Sequence, residues 1–137
     1  MGPDEMRPLV ASAPIARLAT VGRSGAPHLV PFVFALDGNT IYSEVDAKAK
    51  TDRTLQRIHN IEADPRVCVL VDHYEDDWRA LWWVRLDGHA RTFAAETDEA
   101  AHGRALLGAK YPQYEGAPPI GIVIAIGVER WIGWRNP

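Results

Sequence analysis

Tyr42-Ser43-Glu44-Val45-Asp46-Ala47-Lys48-Ala49-Lys50-Thr51 is the most informative part of this chain. The residues up to about Glu44 are predicted to form a β-strand, because a turn sequence at 37–39 precedes them. A helix is predicted from about residue 51 to residue 63, where apolar side chains recur at a three-residue spacing: Leu55, Ile58 and Ile61. The stretch therefore places two lysines where a strand passes into a helix.

This strand-to-helix corner has the chemistry of a phosphate site. Thr51 is available as the N-cap, and Lys48 and Lys50 bring two ammonium groups close to the free N–H groups of the first helical turn. Arg53 and Arg57 follow on the neighbouring helical face. The same pattern is also typical of a basic helix face that contacts only solvent. Spacing alone leaves both interpretations open.

Length and composition limit the choice of function. The 137 residues are expected to form a single domain, residues 1–137, and a net charge of -3 argues against a protein that coats nucleic acid. No apolar run reaches the roughly 18 residues needed to cross a bilayer. Cys68 is the only cysteine, so no internal disulfide forms. We therefore expect a cytoplasmic protein with neither a nucleic-acid partner nor a membrane partner.

The strand pattern predicts a mainly β fold of the α+β class, a six-stranded split β-barrel with two or three short helices. Strands are expected at 15–21, 26–36, 40–44, 66–73, 81–93 and 120–134, and helices at 4–12, 51–63 and 97–110. In the last strand, large residues alternate with Gly121, Ala125 and Gly127. Glycines on one face of so long a strand permit the bending that a closed barrel requires.

Pro27 and Pro31 both fall inside the second predicted strand. Because proline removes a ladder donor, this strand lies either at an edge of the sheet or where the pairing is interrupted around Val30 to Val33. An interruption would leave main-chain N–H and C=O groups free to meet a planar heterocycle at its edge. Edge protection against aggregation explains the prolines equally well.

The common catalytic and nucleotide-binding motifs are absent, and the five histidines have no metal-ligand spacing. We therefore expect no metal site. His28 either faces a ligand or is satisfied within the fold. Trp82 and Trp83 are expected on opposite faces of one strand, one in the core and one at an interface or ligand, whereas Trp131 and Trp134 are expected to be packing residues.

Several segments in this order resemble the pyridoxamine 5′-phosphate oxidase-like split-barrel family, and they resemble most its actinobacterial branch of probable deazaflavin (coenzyme F-420)-dependent enzymes. The resemblance extends over roughly residues 14–134, most of the chain, and is carried by these segments: Ala16-Arg17-Leu18-Ala19-Thr20-Val21, Gly25-Ala26-Pro27-His28-Leu29-Val30-Pro31, Tyr42-Ser43, Lys48-Ala49-Lys50-Thr51, Asp64-Pro65-Arg66-Val67 and Trp83-Val84-Arg85-Leu86-Asp87-Gly88-His89-Ala90. The resemblance implies a homodimer with two cofactor sites at the subunit interface.

The resemblance also implies roles for particular residues. Lys48, Lys50 and Thr51 would hold the cofactor phosphate, and Ser43 would stand beside the ribityl chain. The main chain of Pro31, Phe32 and Val33 would meet the polar edge of the ring system. Trp82 and Trp83 lie on a strand that approaches the cofactor, and His28 is a further candidate contact.

The expected activity is hydride transfer from deazaflavin F-420 to a small organic acceptor. FMN is the alternative cofactor, and a non-catalytic flavin- or haem-binding protein, with His28 or His73 on the iron, is the alternative from another class. Hydride transfer needs no protein nucleophile. No catalytic residue is therefore assigned, although His28, Tyr42 or solvent could donate a proton.

Overall fold

The computed structural model describes residues 1–46, 52–114 and 121–137, with side chains except those of residues 46 and 52–55. Its elements confirm a mainly β, α+β chain with three α-helices. The helices are α1 (Pro3–Ser12), α2 (Asp52–Ala63) and α3 (Asp98–Lys110), and short 3₁₀ turns span Trp78–Ala80 and Pro112–Tyr114. The strands are β1 (Ala16–Val21), β2 (Pro27–Phe32), β3 (Ala35–Asp37), β4 (Thr40–Asp46), β5 (Arg66–His73), β6 (Trp82–Phe93) and β7 (Gly121–Arg135).

The described strands form one antiparallel sheet in the order β2-β1-β5-β6-β7-β4-β3. It has seven strands rather than the six expected, because the single strand predicted at 26–36 is two strands. β2 pairs with β1, whereas β3 pairs with β4. Val33 and Phe34 lie between them, where the chain changes its pairing partner.

The two prolines of β2 lie in a strand at one end of the sheet order. Pro27 and Pro31 are exposed. In the register with β1, Pro27 is opposite Val21 and Pro31 is opposite Arg17. The interruption of the pairing comes just after them, at Val33 and Phe34. The edge-strand explanation therefore applies to the prolines, whereas the interruption expected around Val30 to Val33 begins only at Val33, because Val30, Pro31 and Phe32 all pair with β1.

The core lies inside the curved sheet. Alternate residues of the strands point into it and are fully buried, as the alternation of side chains along a strand requires: Leu18, Ile41, Val69, Val71, Val84, Leu86, Ile124 and Ile126. Helix α2 adds Ile58 and Ile61 to this core. None of the helices in the described part of the chain has the length and apolar character needed to cross a membrane.

The long antiparallel pair β6–β7 joins the two halves of the sheet. Its register shifts between Asp87 and Gly88, which marks a β-bulge. A Cβ on Gly88 would overlap the carbonyl oxygen of Gly127 and would lie 2.9 Å from its carbonyl carbon. Only glycine therefore fits here, because the obstruction is backbone, which cannot rotate away.

We expect Gly88→Ala to lower the free energy of unfolding by about 1–3 kcal/mol, the usual cost of forcing extra volume into a packed site. Gly108→Ala in α3 is the matched control, because a Cβ there meets nothing within 4 Å. The control should be neutral or up to about 1 kcal/mol stabilising, since alanine favours a helix over glycine. Urea unfolding of both variants checks this, and equal effects would contradict it.

Candidate functional site

The break between β2 and β3 is held by side chains from two other elements. The Ser43 hydroxyl of β4 donates to the Val33 carbonyl at 2.9 Å. The hydroxyl of Tyr111, just after α3, accepts from the Phe34 N–H at 3.2 Å and lies 3.0 Å from the carbonyl oxygens of Phe34 and Pro14. Polar main-chain groups that leave the ladder are thereby satisfied.

Four of the predicted site residues lie in or next to this break. Pro31 is exposed and faces outward, whereas Phe32 is buried in the core. Val33 is half-buried, and Ser43 is only 2% exposed, with its proton donated to Val33. Whether this main chain meets the edge of a ring system stays a prediction, as does the place of Ser43 beside a ribityl chain.

Lys48, Lys50 and Thr51 lie outside the described residues. The last described residue before them, Asp46, pairs with Gly121 at the start of β7. The chain is described again from the first residue of α2. The phosphate role of these three residues therefore stays a prediction.

The sequence left open the interpretation that Arg57 belongs to a basic helix face that contacts only solvent. In the structure the environment of Arg57 is different. Its guanidinium is half-buried, and its Nε is enclosed without a hydrogen-bond partner among the described residues. Burial lowers the pKa of Arg57 from its usual value. Arg57 lies between Asn60 and Ile61 on the helical wheel, and both of these residues are buried.

His28 and Tyr42 were the candidate proton donors. His28 is half-buried in β2, and its Nδ1 has no hydrogen-bond partner in the described part of the chain. The buried Tyr42 hydroxyl donates to Glu99 at 2.7 Å. Desolvation, followed by this hydrogen bond to Glu99, raises the pKa of Tyr42 to about 12. Tyr42 is therefore a weak acid, and of the two candidates only His28 has a polar side-chain atom without a partner among the described residues.

The sequence does not indicate Lys110 as a site residue, because a lysine in the last turn of a helix is common. Its ammonium lies 3.8 Å from the centre of the Phe34 ring and 5.2 Å from that of Tyr111. It has no hydrogen-bond partner among the described residues, and desolvation lowers the pKa of Lys110 to about 8. A cation thus lies on the aromatic residues that flank the break.

The outward face of β2, β1, β5, β6 and β7 carries exposed apolar side chains beside charged ones. Leu29 is 67% exposed there and Trp134 is 41% exposed. One row of the register crosses all five strands: Pro31, Arg17, Leu70, Arg85 and Ile132. Three strand spacings separate Pro31 from Arg85, or about 14 Å. We call this the outward face.

Trp82 and Trp83 lie on opposite faces of β6, as predicted. Trp82 packs against the core and stacks on His73, with ring centres 6.3 Å apart. Trp83 is on the outward face, opposite Trp134 in the register. Trp134 is 41% exposed and is therefore not the packing residue that the sequence suggested. Its pairing with Trp83 becomes visible only once the register of two strands that are distant in the sequence is known.

A cavity of about 430 Å³ opens between the ends of β5, β6 and β7. We call it the tryptophan cavity. Its wall consists of nine residues: Leu70, Asp72, His73, Tyr74, Leu81, Trp82, Trp83, Arg85 and Trp134. Of the predicted site residues that the structure describes, Pro31, Phe32, Val33 and Ser43 lie at or next to the break, and Trp82 and Trp83 are in the wall of the tryptophan cavity. His28 lies within β2 and belongs to neither place. No group of His, Cys, Asp or Glu within the described ranges is arranged to hold a metal ion.

The family follows from a comparison that covers almost the whole chain. A family model described as pyridoxamine 5′-phosphate oxidase matches residues 3–135. The chain belongs to this family. No match was found among curated proteins.

Solved structures of family-like fold support this assignment. A conserved hypothetical protein of Mycobacterium tuberculosis is 26% identical, with a TM-score of 0.79 over 98% of this chain and 85% of that chain. The haem storage protein of Vibrio cholerae is 15% identical, with a TM-score of 0.75 over 97% and 93%. A FAD-binding protein of Mesorhizobium loti is 22% identical, with a TM-score of 0.70 over 97% and 93%. The last two similarities show the fold alone.

Tyr111→Phe tests the bonds that hold the break. Removing the hydroxyl leaves the N–H and C=O of Phe34 without this partner, and we expect a loss of about 1–3 kcal/mol in the free energy of unfolding. Tyr74→Phe is the control, because Tyr74 is 72% exposed and should change stability by less than about 0.5 kcal/mol. Denaturant titration of both variants measures the difference. Similar small losses in both would show that the hydroxyl does not hold the break.

Proposed function

We propose that this protein is an oxidoreductase that binds a flavin-type coenzyme and transfers hydride to a small organic acceptor. Deazaflavin F-420 is the first candidate coenzyme, from the resemblance of the sequence motifs to that branch of the family. FMN is the alternative, and the FAD-binding neighbour from Mesorhizobium loti supports a flavin. A cytoplasmic location is part of the same proposal.

The observation that carries this proposal is the main-chain break at Val33 and Phe34. Ser43 and Tyr111 bond to the Val33 carbonyl and to the main chain of Phe34, so the break is held in place before a planar ligand binds. Lys48 follows Asp46 by two residues, which limits the distance between their Cα atoms to about 7 Å. Ser43, which bonds to Val33 at the break, is on the same strand as Asp46, so a coenzyme with its ring at the break and its phosphate at the lysines would extend along β4.

The coenzyme, when bound, supplies the hydride chemistry, and the chain supplies position and charge. The lysines would bind the phosphate. The Lys110 ammonium would raise the positive potential beside the break and would favour negative charge on a ring there. A proton for the acceptor would come from His28 or from solvent.

The coenzyme contacts are tested by titrating wild type, Lys50→Ala and Lys48→Ala with F-420 and with FMN. If the corner binds phosphate, Lys50→Ala removes a charge-assisted contact of about 1.5–3 kcal/mol, and affinity should fall roughly ten- to a hundredfold. Lys48→Ala should lose as much or less. High salt should shrink both losses, because screening weakens the wild-type contact.

Arg79→Ala is the control for these titrations, because the Arg79 side chain is 88% exposed and its partner is Asp77. It should leave affinity unchanged. Wild-type affinity in the Lys48→Ala/Lys50→Ala double variant would refute the phosphate role. Tighter binding of FMN than of F-420, with turnover, would reverse the order of the two coenzymes.

Haem binding without catalysis is the second candidate. His28 favours it, because its enclosed Nδ1 has no partner in the described chain, and the haem storage protein of Vibrio cholerae has a similar fold. His73 is less suitable, since it pairs with Glu75 and stacks on Trp82. Titration with haem, followed by absorbance, distinguishes the two candidates.

We also propose that the outward face binds a second copy of the chain. Gly121 and Trp134 are thirteen residues apart on β7, up to about 43 Å along an extended strand. Gly121, which pairs with Asp46, and Trp134, which is in the cavity wall, thus lie near opposite ends of β7. A two-fold dimer through the outward face would bring the cavity of one copy to the break of the other.

Leu29→Glu tests the dimer. A charge placed at the exposed Leu29 should weaken association at least tenfold, because it would be buried against an apolar surface. Ala105→Glu, on an exposed position of α3, adds the same charge away from this face and is the control. Sedimentation at micromolar concentration should show a dimer for wild type and for the control. A monomeric wild type would count decisively against the dimer.

A further inference from the structure

The tryptophan cavity has the size and the wall of a small-molecule site. Its volume of about 430 Å³ lies within the range of 300–1,000 Å³ typical of ligand pockets. Three of the five tryptophans of the chain are in its wall, together with His73 and Tyr74. The wall includes Trp82 and Trp83, which the resemblance places on a strand that approaches the coenzyme, but none of the contacts proposed at the corner or at the break.

The indole rings of Trp83 and Trp134, which both lie on the outward face, can hold the ring of a ligand between them. Trp83 and Trp134 are cross-strand neighbours on one face, a position in which paired side chains usually touch. Their rings nevertheless make no aromatic contact with each other among the ring pairs of the described residues, whereas Trp82 already stacks on His73. Neither Trp83 nor Trp134 is thus held in a ring pair of the described residues, and Trp134 is 41% exposed.

The charges in the wall are already matched within the protein. Asp72 accepts from Arg17 at 2.8 Å, and Arg85 donates to Asp87 at 3.0 and 3.3 Å. His73 pairs with Glu75. A charged ligand would lose its hydration without gaining an uncommitted counter-charge, so the wall favours an uncharged ligand.

We infer that the tryptophan cavity binds a planar, uncharged aromatic or heteroaromatic molecule against Trp83 and Trp134. Its role as the hydride acceptor rests on the proposed function, whereas binding itself does not. Across the proposed dimer the cavity of one copy would face the break of the other, so this molecule would lie against the coenzyme ring. The acceptor class is therefore neutral planar rings rather than phosphorylated or carboxylated compounds.

Binding is tested by calorimetry on the whole protein without coenzyme, with 2-naphthol and 2-naphthalenesulfonate as probes. These probes share one ring system and differ in charge. We expect 2-naphthol to bind with a Kd of about 0.1–1 mM, as is usual for a fragment of this size. The sulfonate should bind at least tenfold more weakly. Equal affinity for both probes, or no binding of 2-naphthol, would overturn the inference.

Trp134→Ala should weaken 2-naphthol binding about five- to fiftyfold, because it removes one stacking surface. Trp78→Ala is the matched control, since Trp78 is 64% exposed but is not part of the wall, and it should bind like wild type. Circular dichroism shows whether each variant folds, and Trp134→Phe should recover part of the affinity. Folded Trp134→Ala with wild-type affinity would overturn the inference.

A second titration at saturating coenzyme separates this site from the proposed function. Unchanged or tighter binding of 2-naphthol supports a separate acceptor site. Competition between 2-naphthol and the coenzyme would show that the coenzyme ring itself fills the cavity, and this result would overturn the inference. Failure of the coenzyme to bind would refute the proposed function but would leave the coenzyme-free titration intact. Binding of 2-naphthol only to monomeric Leu29→Glu would also overturn the inference.

Discussion

The close backbone contact between Gly88 and Gly127 is the constraint on which the rest of the structure depends. It lies at the bulge of the β6–β7 pair, and the other strands attach on either side of it. The first part of β6 pairs with β5, and the first part of β7 pairs with β4. A long ribbon that bends at one bulge can thus belong to both halves of a curved sheet. This bend sets the positions of the outward face and of the β2–β3 break.

The break shows how a protein can open a sheet without leaving polar groups unsatisfied. Ser43 and Tyr111 replace the ladder bonds that Val33 and Phe34 cannot make. Both side chains come from elements that are themselves well packed, so the opening is rigid rather than frayed. The Lys110 ammonium adds charge next to it, over the Phe34 ring. Rigidity and charge at one opening are the properties that a coenzyme site requires.

Much of the fold was predictable, because it depends on local patterns. Alternation and turn residues located the strands and helices to within a few residues, and the paired prolines of β2 indicated an interrupted edge strand. The split into β2 and β3 was missed, since a change of pairing partner at Val33 leaves no mark in the local sequence. Trp134 and Lys110 were misjudged for a related reason. Their surroundings depend on register and packing between segments that are far apart in the chain.

The prolines of β2 also determine how copies of this chain can meet. An edge strand ordinarily offers a row of N–H and C=O groups to any neighbouring strand, and repeated addition at such an edge produces an endless ribbon. Pro27 and Pro31 remove two N–H groups from the six residues of β2. β2 therefore has fewer donors with which a further strand could pair and is a poorer template for repeated addition.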